Sequence, residues 1–132
     1  MSKKKTKTIA VLQIITALGI ILFWIGFFTV GLAPETPPPC YFIFEHSFPL
    51  PDILLALALF VAAFSLIRGN PIGRTLSLAA AGALIFLGVI DFSFNIQNGM
   101  YTISAADAIL NGFINAYCVV FGIVVIALFS GN

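Results

Sequence analysis

Asp91 and Asn95 stand four residues apart, and Asp107, Asn111 and Asn115 repeat that interval further along the chain. On a helix this spacing stacks side chains on one face, so each set forms a stripe of one carboxylate with amides beside it. A carboxylate attracts cations, and an amide both donates and accepts hydrogen bonds. A pocket between two such stripes therefore suits a small polar or cationic ligand, or a lipid headgroup. Glu45 and His46 lie in a separate segment from which they could close over the top. The candidate ligand-binding set is Asp91, Asn95, Asp107, Asn111, Asn115, Glu45 and His46.

These residues do not spell out a reaction, and no catalytic residue is assigned. The chain has one histidine, and neither His46 with Glu45 nor Asp91 with Asp107 has the tight ligand spacing of a metal site, so no metal is expected. A Gly-rich phosphate loop, an H-E-x-x-H motif and a nucleophile elbow are all missing from the sequence, so no cofactor is expected. Cys40 and Cys118 form no C-x-x-C pair, which argues against a thiol oxidoreductase. Their expected depths, in an outer loop and halfway down a span, also argue against a disulfide. The sequence favours a non-catalytic role over an enzyme.

Each candidate also has a plainer role. Ser104 with Asp107 matches a capping box, and Asp52 after Pro51 matches a helix start, where the positive end of the helix dipole favours an acid. Asn111 and Asn115 could serve only as hydrogen-bonded glue between helices. A lone histidine such as His46 is ordinary at a membrane interface. Asp91 is harder to explain this way, because it falls near the C-terminal end of its helix, where the dipole disfavours a carboxylate.

The elements that position these residues follow from composition. The 132 residues are 61% hydrophobic and 8% charged, too little charge to coat a soluble globule, for which about a quarter is usual. Four apolar stretches, at about 8–33, 50–67, 75–95 and 105–129, are each long enough to cross a bilayer as a helix. The expected fold is all-α: a polytopic membrane protein built as an antiparallel four-helix transmembrane bundle in a single domain covering 1–132. Its connections are an outer loop at 34–49, an inner turn at 68–74 and a second outer loop at 96–104.

Charge sets the expected orientation. Lys3, Lys4, Lys5, Lys7, Arg68 and Arg74 fall in the tail and the 68–74 turn, while Glu35, Glu45, Asp52, Asp91 and Asp107 fall towards the other side. Short basic loops stay in the cytoplasm, so both termini are expected there, in a multi-pass protein of a cell membrane. A compact chain with a basic start and no targeting sequence fits a prokaryotic membrane. The first apolar run is too long for a signal peptide. The four lysines read as a topology signal, and no nucleic-acid partner is expected.

Several packing features can be read as well. Gly19 and Gly26 would permit close helix approach, and Gln13 and Thr16 could bond across the bundle. Ser77, Ala81, Leu84, Gly88, Asp91 and Asn95 should share the inward face of the third span. The segment CYFIFEHSF needs a surface to lie on; an aromatic belt at the interface accounts for it most simply, and a lid over the helix ends is the competing reading.

Two functions from different classes follow. In one, an outward-facing acidic and amide pocket binds or transports a small polar or cationic ligand or a lipid headgroup. In the other, the polar stripe of the fourth span docks a partner membrane protein or a second copy, as an accessory or structural subunit. A lipid-modifying enzyme is a weaker third reading, since one histidine with several carboxylates can move a proton. Besides these, the one expected partner is the lipid bilayer itself.

Overall fold

The computed structural model describes residues 1–131. Their regular elements are all helical: α1 (Lys3–Thr29), a short α2 (Tyr41–Glu45), α3 (Pro49–Ile67), α4 (Ile72–Gln97), a 3-10 turn (Met100–Thr102) and α5 (Ala105–Ser130). Four of the helical stretches are long and apolar enough to cross a membrane. Apolar side chains cover their outer surfaces too. On α1, Ile15, Leu18, Leu22 and Ile25 are exposed while Ile9, Ala10 and Ala17 are buried, so the helix is apolar all round.

Helix ends differ from the sequence expectation where caps act. α1 starts at Lys3 and not near residue 8, because the Ser2 hydroxyl accepts from the Lys5 amide at 3.3 Å and opens the helix early. It stops at Thr29 and not near 33: Gly31 takes a positive φ of 85° and its N–H returns to the Gly26 carbonyl at 3.0 Å. α4 extends beyond 75–95 at both ends, to Ile72–Gln97. α3 and α5 match their expected spans to within a residue.

The 34–49 segment is more than a loop. Within it Tyr41–Glu45 winds into α2, which lays Tyr41 and Glu45 inward and leaves Phe42 and Ile43 exposed. Phe44 stacks face to face on Phe94 of α4, with ring centroids 3.8 Å apart and an interplanar angle of 8°. This segment covers the helix ends in the manner of a lid, and only its outer face resembles an interfacial belt.

Two apolar clusters hold the molecule. The larger joins Ile9, Ala10 and Ala17 of α1 to Leu59, Ala63, Ala81, Leu84, Phe121, Val125 and Phe129 of the other long helices. The smaller, at the opposite end, gathers Trp24, Phe27, Tyr41 and Met100. α4 packs on α5, α3 on α4, and α1 on α3.

The close approaches occur at glycines other than those the sequence suggested. A Cβ on Gly122 would lie 2.7 Å from the Ala81 carbonyl oxygen, and one on Gly88 would lie 3.2 Å from Cys118 Cβ, so α4 and α5 meet backbone to backbone. Gly19 has nothing within 4 Å and Gly26 meets only Leu32. The other residues expected to face inward do so. Gln13 donates to Ser77 Oγ at 2.7 Å, and Thr16 shares a 2.6 Å hydrogen bond with the Tyr117 hydroxyl. Ser77, Ala81, Leu84, Gly88 and Asn95 are buried along α4.

Candidate functional site

α1 begins beside the lysines, and its last turns carry Trp24 to the end of the molecule where α3 starts. There Trp24 Nε1 donates to Asp52 Oδ2 at 2.8 Å. An indole N–H in an apolar helix needs an acceptor, and the first turn of α3 supplies one. Asp91 reaches the same region from the last turns of α4, and Glu45 from the last residue of α2.

These side chains line a cavity of about 420 Å³. Its carboxylates are Glu45, Asp52 and Asp91; its other polar groups include Thr16, Tyr41, Asn111, Asn115 and Tyr117. Apolar walls come from Ile20, Phe23, Leu55, Leu84 and Leu87. No lysine or arginine lines it, so three acids from three elements face one space with no cation from the protein between them.

Each acid is held differently. Asp52 has the Trp24 indole. Asp91 accepts from Asn95 Nδ2 at 3.3 Å, and the Asn115 amide also faces it. Glu45 is 8% exposed and makes no side-chain hydrogen bond to any described residue, although it lines the cavity. Its carboxylate opens on the cavity with no donor from the described residues, so a ligand bearing donors would complete it.

The seven candidates from the sequence separate into groups. Glu45, Asp91, Asn111 and Asn115 line the cavity. Asn95 lies just behind it, 1% exposed, bonded to Asp91 and with its own Oδ1 unpartnered. Asp107 serves the capping box: its N–H donates to Ser104 Oγ at 3.1 Å, and its carboxylate accepts from the same hydroxyl at 2.7 Å. Asp107 does not line the cavity. His46 points away from it as well, exposed and stacked on Phe28 with centroids 5.8 Å apart, because the turn that points Glu45 inward turns the next residue outward.

Asn111 and Asn115 also keep partners on their own side. Asn111 Nδ2 donates to the Asp107 carbonyl at 2.9 Å, and Asn115 Nδ2 to the Tyr101 hydroxyl at 2.8 Å. That second bond ties α5 to the connection before it, in which Met100 is fully buried.

Sequence reasoning missed four contributors. The sequence reads Asp52 as a helix start, and in the structure it also lines the cavity; the signal is Trp24, the one tryptophan in the chain, which needs an acceptor. Tyr41, Tyr117 and Thr16 were invisible as site residues because their roles depend on which helices are neighbours. Cys40 and Cys118 are both free. Among the described residues no group of three or more His, Cys, Asp or Glu is arranged to hold a metal ion.

Residues 1–110 match the model of a family described as Domain of unknown function (DUF8058). The matched stretch contains Glu45, Asp52 and Asp91; Asn111 and Asn115 lie beyond it. No curated protein and no solved structure matches the chain.

Proposed function

We propose that this chain, which belongs to the family named Domain of unknown function (DUF8058), is a small multi-pass membrane protein whose cavity binds, and could carry across the bilayer, a small polar or cationic ligand or lipid headgroup. The observation that supports this is the convergence of Glu45, Asp52 and Asp91 on one cavity with no basic side chain in its lining. Acids at membrane depth are expensive to keep without a function.

In this reading the four long helices form an antiparallel transmembrane bundle. The contacts between Trp24 and Asp52, and between Phe44 and Phe94, which gather one set of helix ends, are consistent with it. The basic tail and the turn carrying Arg68 and Arg74 lie in the cytoplasm of the cell, with both termini, and the acidic cavity faces outward. Docking of a partner through α5 would require its amide stripe to look out towards lipid. Asn115 is buried and Asn111 faces the cavity, which favours a ligand inside over a helix outside.

A thermal-shift series on the purified protein tests the proposal, with methylammonium and choline as probes and Asp91→Asn as comparator. Stabilisation of the wild type that is lost in the variant supports it. Equal behaviour of the two proteins with both probes contradicts it.

A further inference from the structure

The cavity is not closed on all sides, and its exposed lining residues fall on only two helices. Ile15 and Gly19 on α1, with Leu110 and Phe113 on α5, are exposed at the surface and also line the cavity. The lining residues of α2, α3 and α4 are buried or half-buried. α1 and α5 are joined at one level by the Thr16–Tyr117 hydrogen bond, and the gap lies on the Trp24 side of it. At Gly19 a Cβ would meet nothing within 4 Å, so the α1 edge of the gap lacks a side chain where one would fit.

Resting on the binding role proposed above, we infer that the ligand is a membrane-dissolved primary alkylamine: its ammonium lies among Glu45, Asp52 and Asp91, and its chain leaves through the gap between α1 and α5 into the lipid. Glu45, whose carboxylate opens on the cavity without a donor from the described residues, decides the head. A primary ammonium brings three N–H donors and a quaternary one brings none. The three carboxylates also argue against a phosphate next to the amine, since an anion there would meet like charge. The apolar, open sides of the gap decide the tail: Ile15, Leu110 and Phe113 offer contact to an alkyl chain and no hydrogen bond to a water-borne solute. A ligand entering from the lipid need not pass the α2 segment at all.

The experiment titrates protein in maltoside micelles and reads Trp24 emission, which reports directly because Trp24 lines the cavity and is the one tryptophan. The probes are dodecylammonium, methylammonium, dodecyltrimethylammonium and a phosphatidylethanolamine. The variants are Gly19→Leu and Leu110→Phe, which crowd the gap, and Glu45→Gln, which changes the head site. Each probe is compared between proteins in the same micelles, so its partitioning cancels.

Dodecylammonium should bind the wild type roughly tenfold or more tighter than it binds either gap variant, since crowding the gap removes contacts that its chain makes. Methylammonium, which has no chain to pass the gap, should lose much less affinity in the gap variants than dodecylammonium does, and Glu45→Gln should weaken both amines. Dodecylammonium binding both gap variants as tightly as the wild type would overturn lateral entry and leave the cation site standing. Equal binding of dodecyltrimethylammonium or of the phosphatidylethanolamine would overturn the primary-alkylamine assignment. No response of the wild type to any probe would remove the inference together with the binding role beneath it.

Discussion

Trp24 Nε1 and Asp52 Oδ2 lie 2.8 Å apart, joining the last turns of α1 to the first turn of α3. The bond orients a carboxylate towards the cavity and fixes the edge of the smaller apolar cluster at once. Trp24→Phe keeps most of the ring packing and removes the donor. It should lower stability by about 1 kcal/mol, at the modest end for a bond to a charged group because Asp52 also faces the cavity. Thermal unfolding followed by circular dichroism checks this, and an unchanged midpoint would mean that the bond contributes nothing net.

Gly122 and Gly82 should respond to alanine in opposite directions. At Gly122 the added methyl would sit 2.6 Å from Ile85 Cγ1 and 2.7 Å from the Ala81 carbonyl oxygen, while at Gly82 it meets nothing within 4 Å. Gly122→Ala should cost about 1–3 kcal/mol through overpacking of α4 against α5. Gly82→Ala should be neutral or stabilising by up to about 1 kcal/mol, from helix propensity. The two midpoints, measured side by side, separate tight packing from a general effect of removing glycine.

Gln13 is buried and bonded to Ser77, yet its Oε1 has no partner. Ser77 also donates to the Gly73 carbonyl at 2.7 Å, so it keeps a partner when Gln13 is changed. Gln13→Met should therefore lie within about 1 kcal/mol of the wild type, because one hydrogen bond is lost and one orphaned acceptor goes with it. A much larger loss in a denaturant or thermal titration would point to a further partner for the Gln13 amide.

Phe44 stacked on Phe94 anchors α2 over the cavity. Phe44→Ala should raise amide hydrogen exchange across 41–48 while leaving α3 and α5 protected, since the lost stacking is worth about 0.5–1.5 kcal/mol beyond area burial. Exchange unchanged in that segment would show that Tyr41 and Phe48 hold it without Phe44.

Cys40 is exposed at the acidic end, and Cys118 lines the cavity. With the proposed orientation, a membrane-impermeant maleimide added to intact cells should label Cys40, and a Cys40→Ser variant should show little labelling. Labelling of Cys40 only after the cells are opened would reverse the topology.

The four long helices were legible from apolar run length, because apolar runs of this length with so few charges favour helix. The inward stripe of α4 was legible from spacing. Helix ends were less so: Ser2 and Gly31 shift the bounds of α1 through single hydrogen bonds that apolar run length does not register. The site was half legible. Glu45, Asp91, Asn111 and Asn115, singled out by residue type and interval, line the cavity, whereas Asp107 and His46, singled out with them, do not. What decides between them is the rotation of one turn, as between Glu45 and His46. Which glycines carry close contact was not legible, since Gly19 and Gly88 look alike until the neighbouring helix is known.

The binding role stands most directly on a titration of the wild type and a Glu45→Gln, Asp91→Asn double variant with dodecylammonium, read by Trp24 emission. The cavity as described predicts a saturable shift in the wild type and its loss in the double variant, with both proteins folded by circular dichroism. The same saturable shift in both would contradict the claim that these acids hold a cation.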